Sequence, residues 1–81
     1  MDIEERMQAL AATRRSVIRE MAAITDMRSD FLSLASQGLG IEKQAKICSD
    51  TAEYFLADLV TLLVVTENEI RPLHTRCIKE M

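Results

Sequence analysis

The residues able to do chemistry are few, and their spacing is poor for it. The chain holds two cysteines, Cys48 and Cys77, and one histidine, His74. His74 and Cys77 stand at i and i+3, so on a helix they share a face and offer two ligands to a metal ion. A zinc site takes three or four, and no second histidine exists to complete one. The single histidine also leaves no base to activate a hydroxyl or thiol nucleophile. Carboxylates are plentiful, but Asp26/Asp30 and Glu67/Glu69 have the spacing of solvated helix faces, and the Glu-x-x-His pattern of di-iron bundles does not occur. The expectation is no enzyme: no catalytic, metal-binding or cofactor-binding residues, and no cofactor. The cysteines are 29 positions apart in what reads as one helical segment, about 43 Å at ~1.5 Å per residue, against a limit near 7 Å for bridged Cα atoms. Both are therefore read as small buried thiols of a reducing compartment.

Arg14, Arg15 and Arg19 form the only basic cluster, with no aromatic residue interleaved. The whole chain carries 10 Lys+Arg against 13 Asp+Glu, a net charge of −3, which gives no general attraction to phosphate backbones. Nucleic acid is not the expected partner, and an RNA-binding hairpin is kept only as a minor alternative. Eighty-one residues bound the chain to one domain, 1–81, and 48% apolar residues are too many for a disordered tail. Aromatic content is 4%, with two glycines and one proline; a sandwich or barrel needs more turns than that. An all-α fold remains. The start, MDIEERMQAL, lacks a cationic segment followed by an apolar run, so it is not read as a signal peptide and a cytoplasmic location is expected. The apolar run FLADLVTLLVV is interrupted by Asp58 and falls far short of the ~20 residues that span a bilayer, so no membrane insertion is expected.

The elements follow from periodicity. Ile3, Met7, Leu10, Val17, Met21, Ile24, Phe31 and Ala35 recur with 3,4 spacing, with Arg14 and Arg28 at two positions of the same seam. Ala11, Ile18 and Leu32 widen the stripe. Asp2 with Glu5 reads as a capping pair, which sets helix 1 at about residues 3–37. Gly38 fits the left-handed position that ends a helix, with Leu39 folding back on Leu34. A connection this short favours an antiparallel hairpin. Helix 2 repeats the pattern through Ile41, Ala45, Cys48, Ala52, Phe55, Leu59, Leu62 and Thr66, joined by Leu56, Leu63 and Ile70. Pro72 lacks an amide donor and crowds the preceding turn, so a kink or a short separate helix is expected after Arg71. With the turn near residue 39, Arg28 should face Ser49 and Asp50, and Arg14 should face Leu63 and Glu67.

The segment from Phe55 to Val65 is more apolar than one stripe requires. Leu56, Ala57, Val60, Leu63 and Val64 are expected to form a docking flank for another protein or a second copy. An acidic hairpin of this length, with two long heptad stripes and the Gly38-Leu39-Gly40 turn, resembles the small cochaperones of type III secretion needle subunits. That resemblance implies two antiparallel helices packed on a larger helical chaperone, the pair keeping a secreted subunit soluble. A homodimeric four-helix bundle with a structural or regulatory role is the alternative.

Overall fold

The computed structural model describes the backbone of residues 2–80 and the side-chain surroundings of residues 2–76. The described residues form two helices, α1 (Ile3–Ala35) and α2 (Glu42–Glu80). Asp2 starts α1: its carboxylate accepts the Glu5 amide at 2.7 Å, which satisfies one of the first-turn donors, while Glu4 and Glu5 complement the positive end of the helix. The amides of Ser36 and Gln37 donate to the carbonyls of Ser33 and Leu34 at 3.1 and 3.3 Å, tightening the last turn. Gly38 and Gly40 then take φ values of +68° and +82°, the left-handed region that glycine enters without a Cβ clash. The chain reverses over these few residues. Leu39, expected to fold back on Leu34, stays 58% exposed. At the start of α2 the Glu42 carboxylate accepts the Gly40 amide at 3.1 Å. Hydrogen bonds from its own amide and that of Gly40 hold the Glu42 carboxyl below its ordinary pKa.

Among the described residues three ion pairs link the helices and record their antiparallel register: Arg6 with Glu69 at 3.6 Å, Arg14 with Glu67 at 3.2 Å and Arg28 with Glu53 at 3.1 Å. The result is a rod of 62 × 18 × 14 Å. On α1 the buried or half-buried positions are those of the expected seam, from Ile3 through Val17 to Ala35, with both arginines in it. On α2 the seam runs through Ala45, Ser49, Ala52, Leu56, Leu59, Leu63, Thr66, Ile70 and Leu73, again with unbroken 4,3 spacing.

The α2 seam corrects the expectation in one respect. Ala45, Ala52, Leu59 and Thr66 belong to it as read, but their companions are the residues four positions on (Ser49, Leu56, Leu63), not three positions on (Cys48, Phe55, Leu62), which are exposed. Cys48 is thus a surface thiol and not a buried one; the surroundings of the Cys77 side chain lie outside the described residues. The small side chains at 45, 49 and 52 let α2 lie close to Phe31 and Ile24 near the turn, where a Phe55 ring directed inward would hold the helices apart. Arg28 reaches Glu53, one turn beyond the Ser49 and Asp50 expected opposite it, whereas Arg14 meets Glu67 as expected. Pro72 neither ends α2 nor begins a separate helix: the α-helix passes through it to Glu80. Leu73, half-buried on the seam, anchors the turn that follows the proline.

Candidate docking surface

The seam leaves much of the apolar side-chain area uncovered. Only Val17, Ala45 and Ala52 are buried apolar residues among those described, while Ile18, Met27, Phe55, Val60, Leu62, Val64 and Val65 are all roughly half exposed. The accessible surface is 6083 Å², against about 4,900 Å² for a compact monomer of 9.2 kDa. The surplus, roughly 1,200 Å² of polar and apolar surface together, exceeds the ~800 Å² that one protein contributes to a standard interface.

This area divides between the two long sides of the hairpin. One side contains the flank expected from the sequence, in reduced form. Ala57, Val60 and Val64 are exposed there, but Leu56 and Leu63 are half-buried on the seam and so do not belong to the flank. Ile18 and Leu32 of α1, expected with Ala11 to widen the buried stripe, are instead 51% and 46% exposed and by the seam spacing lie on this same side, while Ala11 alone of the three is half-buried. The Arg14–Glu67 and Arg28–Glu53 pairs lie on either side of Ile18, Ala57, Val60 and Val64, with Leu32 beyond the second pair toward the turn. Each of their four side chains is more than a third exposed, so each pair contributes at most about 1 kcal/mol. Their value is in fixing register.

The other side is the one the sequence reading did not assign. Here Met27 of α1 and Cys48 and Phe55 of α2 stand over the half-buried Ile24 and Phe31, enclosing an open apolar groove of about 420 Å³ with Glu20 among its lining residues. Leu62 and Val65 continue the apolar surface along α2. The sequence signal for this side is the repeat Cys48, Phe55, Leu62, whose spacing fits a seam equally well.

Among the described residues, the groups able to carry chemistry do not converge. His74 is exposed beside a second hollow of about 390 Å³ that also contacts Arg14, Glu67 and Arg71. Among the described residues no group of three or more His, Cys, Asp or Glu side chains could hold a metal ion. The basic cluster is split: Arg14 turns inward to Glu67 while Arg15 and Arg19 face solvent, which leaves no continuous cationic patch for a phosphate backbone. No described helix is long and apolar enough to cross a membrane. Compared with protein-family models, with curated proteins and with solved structures, the chain matches none.

Proposed function

We propose that this protein is a non-enzymatic protein–protein interaction module, a small cytoplasmic cochaperone whose apolar sides are covered by another protein. The apolar side chains left roughly half exposed on the two long sides, Ile18, Met27, Phe55, Val60, Leu62 and Val64, carry this reading, because contiguous exposed apolar surface marks an interaction site. Its specific form, a cochaperone for a type III secretion needle subunit, is supported by the length, the paired heptad stripes and the Gly38-Leu39-Gly40 turn.

One observation favours a homodimeric bundle as the second reading. The side bearing Val60 and Val64 also carries charges of both signs, Lys46, Asp50 and Arg71 besides the two ion pairs, and such a surface can meet a copy of itself without like-charge conflict. A photoreactive phenylalanine analogue placed at Val60 or at Phe55, with Arg19 as the solvent-facing control, tests both readings in the native host. Adducts of discrete mass at the first two positions and none at the control support docking, and a mass of two chains identifies the bundle. An uncrosslinked chain at both positions that sediments as a free monomer refutes the proposal.

A further inference from the structure

Resting on the docking reading, we infer that the groove between Met27 and Phe55 receives one amphipathic helix with a cationic border, supplied by another protein. The groove is apolar and open, and beyond its Phe55 end the exposed Leu62 and Val65 carry apolar surface on, so that such residues run from 48 to 65 of α2, about 26 Å at ~1.5 Å per residue. That matches five turns of a helix laid against two others, with its apolar residues at 3,4 spacing seated between them.

The rim decides the charge of the occupant. Glu20 lines the groove, Asp30 lies one turn beyond Met27 on α1, and Asp58 lies between Phe55 and Leu62 at the outer edge of α2. All three are exposed and none joins an ion pair. Arg15, Lys43 and Lys46 belong to the opposite side by the same helical register, and Arg76 is some 30 Å further along α2 than Phe55. A second copy seated here would set carboxylates against carboxylates, which disfavours pairing. A helix with lysine or arginine flanking its apolar stripe would answer every charge on the rim.

The test uses the full chain and two fluorescent peptides of about 18 residues that share a leucine stripe, one flanked by lysine and one by glutamate. The lysine peptide is expected to bind about tenfold more tightly, to weaken as salt rises and screens the rim, and to slow the reaction of Cys48 with a thiol reagent, since Cys48 lines the groove. Phe55→Ser should weaken binding at least tenfold with helicity unchanged, because Phe55 is 57% exposed and lies outside the seam. Asp30→Lys with Asp58→Lys should reverse the preference between the peptides. Ser29→Lys, on the opposite side, should change affinity less than twofold, which separates a local rim effect from net charge. Equal affinity for the two peptides, no binding of either, or indifference to Phe55→Ser overturns the inference, as does a dimer of the chain alone that already protects Cys48. Crosslinks at Phe55 or Val60 combined with equal peptide affinities would leave the docking reading standing and remove this inference alone.

Discussion

Arg28 shows what a charged side chain costs in a seam. Its Nη2 donates to Glu53 at 3.1 Å, while its Nε is buried without a partner. The exposed end of the pair contributes at most about 1 kcal/mol, and an orphaned buried donor costs about 1–3 kcal/mol. The balance opposes Arg28, so Arg28→Met, which keeps the unbranched stem and removes the donor, should stabilise the hairpin by about 1 kcal/mol. For a domain of this size that corresponds to a rise of roughly 4–8 °C in Tm. A fall in the urea midpoint would show instead that the pair with Glu53 outweighs the orphaned donor. Thr66, one of the two buried hydroxyls of the α2 seam together with Ser49, avoids the same penalty by donating to the Leu62 carbonyl at 2.8 Å.

At the scale of the helices, α2 has two edges and one spine. Ala45, Ala52, Leu59 and Thr66 are common to both possible stripes, and the residues three or four positions on are similarly apolar at 55/56 and 62/63, while Cys48/Ser49 and Glu69/Ile70 favour opposite edges. Hydrophobic spacing therefore identifies the spine and cannot choose the edge, which is why helix existence, the turn and the α1 seam were legible while Cys48, Phe55 and Leu62 were misplaced. The choice depends on side-chain volume across the interface, where Ser49 and Ala52 fit close to α1 and Cys48 and Phe55 do not. The same gap explains the docking side: Ala57, Val60 and Val64 could be read from their surplus, but the groove appears only once Phe55 is known to face outward. Leu56→Ala and Leu63→Ala should each cost about 1–2 kcal/mol, part of the ~2–5 expected of a fully buried leucine. Phe55→Ala and Leu62→Ala should stay within about 0.5 kcal/mol. Equal costs for the two sets in chemical denaturation would mean that the edges exchange. Pro72 is a second conflict between local and tertiary preference. It denies the Asn68 carbonyl its helical donor, so Pro72→Ala should raise helicity and stability, by up to ~3 kcal/mol; no gain in the thermal midpoint would show that the helix already accommodates the ring at no cost.

For the whole molecule, shape and surface tell the same story. The radius of gyration is 18.2 Å, where a compact domain of this length would have about 12 Å. A rod only two helices thick places nearly every side chain within reach of water, so most of the hydrophobic stabilisation available to this composition is unrealised in the isolated chain. Val60→Lys with Val64→Lys should leave the circular dichroism spectrum unchanged and weaken association through that side more than tenfold, since each buried aliphatic side chain contributes about 1.5–3 kcal/mol and a desolvated ammonium group adds further cost. Wild-type sedimentation and wild-type partner capture by the double variant would assign that side to plain solvent exposure and leave the groove side as the binding surface.

The position of the turn has a consequence in time. Because the chain reverses only once, contacts near Gly38 join residues close in sequence, while those between Ile3 and the far end of α2 close a loop of nearly the whole chain. Zipping from the turn pays the smallest loop entropy at each step, so opening should run the other way, from the termini inward. Amide exchange should then form a gradient: slowest from Val17 to Ala35 and from Ala45 to Thr66, faster toward Ile3 and beyond Pro72, where one hydrogen bond of the ladder is missing. A partner that grips the middle of the rod would flatten that gradient only around its own footprint. Exchange measured with and without the lysine peptide would therefore map the occupied segment directly, and uniform protection along both helices would mean that the hairpin opens as a single unit.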